Sequence, residues 1–373
     1  MSKVIHIITG LGDGGAEALL VQLIKNQHEP HSHTVISLTD EGKYGKVIVE
    51  LGVTLKTLNL SMSLHSIRSI IKLYKYIRKN NDFTIQTWMY HADFLGGIIS
   101  RLAGNRKVFW GVHNTVLDLK KSKFTTILIS RMNSILSYWI PYRIICCAEY
   151  AKNVHVSLGF CAKKILIVNN GYDTDIYKPN IESGLSFRNK LCIDSGFFVI
   201  GMVARFDPYK DHYNLLSAMS LLKERNIKFK CVLVGQGVVD SNCTLTRWVN
   251  DMGLSNNVVL LGPSNDVVKI MNALDVHILS SYAEAFPNVL SESMACETPV
   301  ISTDVGDAKY IIGDTGWIVP PKDPNTLYEA TLHAYIENGT PRWNERCKLS
   351  RKRVKSLFGI KKMISAYEAA WDI

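Results

Sequence analysis

The feature that most constrains the fold is a regular alternation of strand-like and helix-like runs in two series. The first series begins at Val4–Ile8 and continues through strand-like runs at 83–88 and 107–112. The second begins at 197–203 and continues through 229–234 and beyond. Strands that alternate with helices of this length predict parallel sheets built from βαβ units. The 373 residues are enough for two domains. We therefore expect an α/β protein with two doubly wound, Rossmann-like domains facing across a cleft.

The expected domain boundary lies between the two series. Residues 178–189 contain Pro179, Gly184 and several polar residues, which is typical of a linker. This composition predicts an N-terminal domain over 1–178 and a C-terminal domain over 190–359.

Composition favours a globular chain, with 47% hydrophobic and 20% charged residues. No run of 18 apolar residues occurs, so no transmembrane helix is expected. The early apolar run ends at Gly10 and Gly12 and does not resemble a signal peptide. The eight cysteines form no C-x-x-C pair, which favours reduced, buried thiols in a cytosolic protein and gives no support for a zinc site.

Charge is unevenly distributed along the chain. Residues 1–180 hold 22 Lys and Arg against 12 Asp and Glu, whereas residues 181–373 hold 21 of each. The whole excess of +10 therefore lies in the N-terminal half, which indicates an anionic partner surface. No recognised nucleic-acid module is present, so we expect no nucleic-acid partner.

Two basic stretches interleave with apolar residues and predict contact with an anionic membrane surface. A solvated helix face over an apolar core is the alternative for both. The first stretch contains Arg68, Lys72, Lys75, Arg78 and Lys79. The second contains Lys120, Lys121 and Lys123, followed by Phe124 and later by Tyr138 and Trp139.

A glycine-rich turn follows the first predicted strand. Its pattern, Gly10-x-Gly12-x-x-Gly15, satisfies the dinucleotide fingerprint, and Asp40 ends the next strand-like run. An NAD-dependent oxidoreductase is therefore one functional alternative. A tight strand-to-helix turn without a ligand is another.

Two carboxylates eight positions apart, Glu284 and Glu292, flank a predicted helix start at Pro287. Glu292 is expected roughly 7 Å further along the helix axis. Backbone N–H groups at a helix N-terminus attract anions. The amides between the two acids belong to Phe286, Asn288 and Val289. This order of carboxylate, phosphate cradle and carboxylate suits a nucleotide-diphosphate sugar, although a plain surface helix with two exposed acids is the alternative.

Arg205 and Lys210 follow the predicted strand at 197–203. Parallel strands bind ligands at their carboxyl ends. Two fixed cations there could neutralise a leaving diphosphate as its charge develops. The alternative is a solvated pair in a loop.

Four segments, in order along nearly the whole chain, resemble the family-4 retaining glycosyltransferases, which have the GT-B fold. They are Gly14-Gly15-Ala-Glu17, residues 201–210, Val232-Leu-Val-Gly235-Gln-Gly237 and residues 280–321. The resemblance implies that Arg205, Lys210 and Gly235 belong to the donor site, and that Gly14 and Gly15 reach toward the donor phosphates or the acceptor. It also implies that Glu284 and His113 approach the transferred sugar, that no metal ion is needed, and that helix 360–373 crosses back onto the first domain.

The resemblance extends to bacterial surface-polysaccharide transferases of O-antigen and capsule synthesis. It implies a nucleotide sugar as donor and a polyprenyl-diphosphate-linked saccharide as acceptor. The enzyme would then be cytoplasmic and peripheral on the inner face of the cell membrane. Asp211 and Asp307 stand where the family usually has glycine, and we expect the first to alter a turn and the second to alter the sugar pocket.

Overall fold

The computed structural model describes residues 3–60, 64–113 and 124–372. They divide into two compact units. The first unit comprises the residues up to Gly171 together with those from Ile360 onward, and the second runs from Tyr172 to Gly359.

Each unit is built on one parallel sheet. In the described part of the first unit the strands are β1 Val4–Ile8, β2 His33–Ser37, β3 Thr54–Thr57, β4 Thr84–Trp88, β5 Val108–Val112, β6 Arg143–Cys146 and β7 Ile165–Ile167. In the second unit they are β8 Phe198–Val203, β9 Phe229–Val234, β10 Val258–Leu260, β11 Val276–Leu279, β12 Val300–Thr303 and β13 Trp317–Val319. The spatial orders are β3-β2-β1-β4-β5-β6-β7 and β10-β9-β8-β11-β12-β13. Both are doubly wound, as the alternating pattern predicts.

Helices connect the strands. In chain order they are α1 Gly15–Lys25, α2 Gly45–Glu50, α3 Leu64–Lys79, α4 Tyr90–Leu102, α5 Phe124–Leu136, α6 Glu149–Ser157, α7 Ile181–Lys190, α8 His212–Glu224, α9 Cys243–Asp251, α10 Val267–Ala273, α11 Asn288–Ala295, α12 Ala308–Ile312, α13 Pro324–Glu337, α14 Pro341–Leu357 and α15 Ile360–Trp371. Within the described ranges, no helix is both long enough and apolar enough to span a bilayer.

The reversal of strand order fixes where each sheet can hold a ligand. In the first unit, β1 pairs with both β2 and β4, so the chain turns in opposite directions after β1 and after β4. In the second unit, β8 pairs with both β9 and β11. The loops after β8 and β11 therefore diverge at the carboxyl edge of the sheet, where doubly wound folds bind their ligands.

The last helix, α15, belongs to the first unit. Its buried residues Met363, Ile364 and Tyr367 join the core formed by β1 and α1, which includes Ile8 and Leu20. A helix distant in sequence thus completes the core of the N-terminal sheet.

The predicted linker over 178–189 is wrong, because most of it is helix α7 of the second unit. Asn180 caps this helix by accepting a hydrogen bond from Ser183 N at 2.9 Å. A Cβ at Gly184 would lie 2.2 Å from the carbonyl oxygen of Asn272, so glycine permits the close approach of α7 to α10. Glycine at a close helix contact and proline before a helix cap are also residue types that are typical of linkers, so composition alone does not distinguish the two cases. The second unit also takes in residues 172–178, which were expected in the first.

All eight cysteines are free thiols. Cys146, Cys147, Cys231 and Cys296 are buried as expected, whereas Cys192 and Cys243 are exposed. The expectation of burial is therefore confirmed for these four cysteines and is wrong for Cys192 and Cys243, whereas Cys161 and Cys347 have intermediate exposure.

Candidate functional site

The loops after β8 and β11 are tied together at the switch point of the second sheet. Tyr282 N donates to the carbonyl oxygen of Tyr209 at 2.9 Å. Ser280 Oγ donates to the carbonyl oxygens of Lys210 and Asp211, each at 3.0 Å. The backbone that carries Lys210 is therefore fixed relative to the backbone that carries Glu284.

Lys210 and Glu284 form an ion pair across these two loops, with Nζ 2.5 Å from Oε1. Ser281 Oγ donates to the same carboxylate oxygen at 2.7 Å. The Lys210 side chain is 21% exposed and that of Glu284 is 13% exposed, so the pair is largely shielded from water. The cation predicted for the diphosphate and the acid predicted for the sugar thus neutralise each other here.

A third loop, after β12, supports the backbone next to Glu284. Gly306 has φ +53°, and a Cβ there would lie 2.3 Å from the carbonyl oxygen of Ala285. Asp307 N donates to that same oxygen at 3.0 Å, and Asp307 is 6% exposed. Glycine at 306 is therefore required by the turn as well as by the close approach.

Asp211, which departs from the family pattern, still adopts the left-handed conformation with φ 49° and ψ 55°. Aspartate tolerates this region better than most non-glycine residues. Its side chain accepts a hydrogen bond from Asn214 N at 3.2 Å and so caps α8. The substitution retains a turn that glycine would favour and adds a helix cap.

Arg205 is the exposed cation of the site. Its side chain is 61% exposed, and Nε donates to Asp207 Oδ2 at 3.2 Å. The glycine turn after β9 packs against its loop, because a Cβ at Gly235 would lie 2.1 Å from the carbonyl oxygen of Ala204. Arg205, Lys210 and Gly235 therefore occupy one edge of the sheet.

Helix α11 begins at Asn288, with Pro287 at the N-cap. Proline has no polar side chain for capping, and the first amides of a helix have no intrahelical acceptor. Phe286 is 6% exposed and packs edge-on against Phe358, with ring centroids 5.6 Å apart. Val289 packs against the core on the other side. Tyr172 OH donates to Asn288 Oδ1 at 2.6 Å, which fixes the amide side chain at the start of the helix.

Glu292 lies in the second turn of α11 and is partly buried. Burial raises the pKa of its carboxyl to about 7, and a hydrogen bond from the Tyr177 side chain opposes this shift. The group is therefore poised to change its charge near neutral pH.

The remaining predicted site residues lie at the carboxyl edge of the first sheet. Gly14 is the N-cap of α1, and Gly15 is its first residue. A Cβ at Gly14 would lie 2.2 Å from Glu17 Oε2, the end of a flexible side chain that can move away, so this contact alone does not require glycine. His113 follows β5, and its ring stacks on Trp88 with centroids 5.0 Å apart. Burial lowers the pKa of His113 to about 4, so the imidazole is neutral at pH 7.

The structure thus brings Arg205, Lys210, Gly235 and residues 284–292 together within the second unit, and places Gly14, Gly15 and His113 in the first. Sequence reasoning missed three residues that orient them. Ser281 lies two residues beyond the end of β11, and its position near the carboxyl end of a strand is a signal that could have identified it. Tyr172 and Tyr177 contact helix α11 from more than a hundred positions away, and no sequence spacing announces such contacts.

No group of three or more His, Cys, Asp or Glu side chains within the described ranges is arranged to hold a metal ion.

The ion pair between Lys210 and Glu284 should contribute measurably to the stability of the second unit. We expect a double-mutant cycle with Lys210→Met and Glu284→Gln to give a coupling free energy of about 1–3 kcal/mol, since removing one partner leaves a shielded charge uncompensated. Urea denaturation of the four proteins measures it.

The matched control is the exposed pair Arg205 and Asp207, tested with Arg205→Gln and Asp207→Asn. Its coupling should not exceed about 0.5 kcal/mol, because solvent screens it. Equal coupling in the two cycles would contradict the assignment of Lys210 and Glu284 as a shielded pair.

Two family models match the chain. The model described as Glycosyltransferase Family 4 matches residues 13–176. The model described as Glycosyl transferases group 1 matches residues 185–351, which include the ion pair and helix α11.

Several similar proteins are named as glycosyltransferases. The UDP-Gal:alpha-D-GlcNAc-diphosphoundecaprenol alpha-1,3-galactosyltransferase of Escherichia coli is 25% identical over 82% of this chain and 79% of its own length. An N-acetylgalactosamine-N,N'-diacetylbacillosaminyl-diphospho-undecaprenol 4-alpha-N-acetylgalactosaminyltransferase of Campylobacter jejuni is 28% identical over 45% of this chain and 43% of its own length. The crystal structure of Anabaena HepE in complex with UDP superposes with a TM-score of 0.87, at 19% identity and 98% coverage of each chain, which establishes the fold.

None of these matches supports the NAD-dependent oxidoreductase that the Gly10-x-Gly12-x-x-Gly15 turn left open. Because the two models together account for most of the chain and describe one class of enzyme, the chain belongs to the family-4 glycosyltransferases of the GT-B fold.

Proposed function

We propose that this enzyme is a retaining hexosyltransferase that moves a sugar from a nucleotide-diphosphate sugar to a lipid-linked saccharide in bacterial surface-polysaccharide synthesis. The observation that carries the proposal is the ion pair of Lys210 and Glu284 beside the N-terminus of α11. It places a cation, an acid and helix amides within one edge of one sheet.

In this scheme the donor diphosphate replaces Glu284 as the ion-pair partner of Lys210. Lys210, Arg205 and the amides of α11 would hold the phosphates and stabilise their charge as the sugar leaves. Glu284, released from the ion pair, would accept hydrogen bonds from sugar hydroxyls and stabilise the positive charge that develops on the ring. The protein cations replace a metal ion, so the scheme requires none. Retention would follow from attack on the same face, assisted by the leaving phosphate.

Glu292 is the group proposed to accept hydrogen bonds from the ribose hydroxyls. Its position in the second turn of α11 places it beyond the amides that would bind phosphate. Ionised carboxylates accept stronger hydrogen bonds than neutral carboxyls. Donor binding should therefore depend on the ionisation of this group.

His113, Gly14 and Gly15 are proposed as the contribution of the first unit. A neutral imidazole can both donate and accept a hydrogen bond, which suits contact with an uncharged sugar hydroxyl. Gly14 and Gly15 offer helix N-terminal amides to the donor phosphates or the acceptor.

The acceptor is inferred from the relatives. The matched enzymes of Escherichia coli and Campylobacter jejuni carry diphosphoundecaprenol acceptors in their names. We extend that class to this chain as a polyprenyl-diphosphate-linked saccharide. Such an acceptor would place the enzyme at the inner face of the cell membrane, as a peripheral cytoplasmic protein.

The surface of α3 and α5 supports the membrane proposal. In α3, Ile67 and Ile71 are exposed beside the basic residues predicted from the sequence. In α5, exposed apolar side chains recur on one helical face, and an exposed Trp139 follows. The α5 residues are Phe124, Leu128, Met132 and Ile135. Because α3 packs on α4 and α4 packs on α5, these side chains share one side of the sheet. The predicted Lys120, Lys121 and Lys123 lie outside the described residues.

The activity test is sugar transfer from UDP-glucose or UDP-galactose to a synthetic polyprenyl-diphosphate saccharide. Glu284→Gln should lower kcat roughly 10²-fold, because an uncharged amide stabilises the developing positive charge poorly. The matched control is Glu224→Gln at the exposed end of α8, which should transfer at the wild-type rate. NMR of the product should show the anomeric configuration of the donor. Inversion, or transfer within a few-fold of wild type by Glu284→Gln, would refute the proposed mechanism.

Donor affinity should rise with pH through the titration of Glu292. In the unliganded protein its folded pKa of about 7 exceeds the unfolded value, so its contribution to stability falls as pH rises. We expect UDP-glucose to bind about three- to ten-fold more tightly at about pH 8 than at about pH 6, since the carboxylate is the better acceptor. The intact sugar nucleotide is used because its phosphate diesters do not titrate there. Calorimetry should show that Glu292→Gln binds UDP-glucose more weakly than the wild type and with an affinity that does not vary with pH. If the affinity of Glu292→Gln varied with pH as that of the wild type does, the proposed role of Glu292 would be refuted.

Membrane binding should depend on the exposed face of α5. The triple variant Phe124→Ser, Ile135→Ser and Trp139→Ala should lose most of its cosedimentation with phosphatidylglycerol vesicles, because it removes large apolar side chains that could enter the interface. The control is Ile181→Ser in α7, which removes an equally exposed side chain from the second unit. Equal loss in both proteins, or in neither, would show that α5 is not the contact.

A further inference from the structure

Trp88 lies wholly buried at the end of β4, between His113 and the last helix. Its ring stacks on the imidazole of His113 with centroids 5.0 Å apart and planes 14° apart. It also stacks with the ring of Tyr367 from α15, with centroids 5.9 Å apart and planes 25° apart. The indole therefore connects the proposed catalytic imidazole to the C-terminal helix.

Within the described ranges, no hydrogen bond fixes the ring of His113. Both ring nitrogens are shielded from solvent, and neither has a hydrogen-bond partner within the described ranges. Burial keeps the ring neutral at pH 7, so no ion pair orients it. Gly111 clears the space beside it, because a Cβ there would lie 3.2 Å from His113 Nε2. Among the described residues, stacking on Trp88 is therefore the contact that orients the plane of this imidazole.

Trp88 is itself held by a chain of hydrogen bonds with one defined direction. Its Nε1–H donates to His6 Nδ1 at 3.2 Å. An indole nitrogen only donates, so His6 Nδ1 is unprotonated and His6 Nε2 carries the hydrogen. His6 Nε2 then donates to His33 Nδ1 at 2.8 Å. Both histidines are buried, and burial lowers the pKa of each, which keeps the chain neutral.

Helix α15 closes this network. Trp371 packs edge-on against His6 with centroids 5.8 Å apart, and its Nε1–H donates to Gln86 Oε1 at 3.0 Å. Tyr367 and Trp371 are one helical turn apart and their rings also contact each other, at 5.4 Å. The C-terminal helix thus supplies two of the rings that surround Trp88 and His6.

We propose that Trp88 is a positioning residue for His113, and that α15 holds Trp88 in place. The stacked indole would keep the imidazole plane in one orientation. This inference rests on the proposed role of His113. It assigns to the C-terminal helix a part in catalysis that acts through packing rather than through contact with substrate.

The test uses Trp88→Leu in the full chain, with histidines labelled with ¹³C. The ring protons of His113 are assigned by their absence in His113→Gln. In the wild type they should lie upfield because of the indole ring current, and in Trp88→Leu they should move downfield and broaden. The value of kcat should fall about three- to ten-fold, the range expected for the loss of one stacked ring contact. KM for UDP-glucose should change little, since Arg205 and Lys210, the cations proposed to hold the donor diphosphate, lie in the second unit.

Two comparisons separate positioning from simple loss of structure. Tyr367→Phe keeps the stacked ring and removes a hydroxyl that has no hydrogen-bond partner within the described ranges, so His113 and kcat should be unchanged. Trp88→Leu in the His113→Gln background should add little further loss of kcat, because Trp88 acts through that ring. A merely structural role would lower kcat to the same extent in both backgrounds. If Trp88→Leu cannot be purified folded, Trp88→Phe should show an intermediate shift of the His113 protons.

The outcomes distinguish this inference from the proposed function. If His113→Gln transfers sugar normally, the catalytic role of His113 is wrong, and the NMR shift still decides whether Trp88 orients the ring. If the His113 protons keep their wild-type shifts in folded Trp88→Leu and in Trp88→Phe, the positioning role is overturned even when His113 is essential.

Discussion

The ion pair between Lys210 and Glu284 is the interaction on which the arrangement of the donor edge depends. Two opposite charges, each mostly removed from water, are tolerable because each compensates the other. The loops that carry them are bound by Tyr282, Ser280 and Gly306 contacts, so the charges cannot move far apart without breaking backbone hydrogen bonds. In the proposed scheme a donor diphosphate replaces the carboxylate as the partner of Lys210, so that one anion is exchanged for another at this cation. The cation at this edge of the sheet is thus held in a fixed position by the loops around it.

The two units prepare their candidate site residues by different physical means. The second unit uses compensated charge and helix amides at the start of α11. The first unit uses neutral rings, with His113 stacked on Trp88 and two histidines linked in a neutral hydrogen-bonded chain. Neutral groups are stable in a fully buried core without a counterion.

Much of the fold was predictable because the strands and helices of parallel βαβ units have characteristic hydrophobic periodicities, which can be recognised within short stretches of sequence. The predicted strands at 197–203 and 229–234 correspond to β8 and β9, and the helix start at Pro287 corresponds to the N-cap of α11. The linker prediction was wrong because Gly184 allows α7 to pack closely against Asn272, a residue distant in sequence. The composition of a segment gives the size and polarity of its residues, but it does not show which distant residues they pack against.

The sequence by itself determined the two doubly wound sheets and which side chains stand at the carboxyl ends of their strands, since hydrophobic periodicity and turn residues act locally. Only the tertiary structure decided the pairing of those side chains. It joined Lys210 to Glu284, aimed Tyr172 and Tyr177 at helix α11, and packed α15 behind Trp88. Such contacts depend on where strand order reverses and on how distant helices return to a sheet. Orientation and charge state follow from burial among these distant neighbours, which no local pattern encodes.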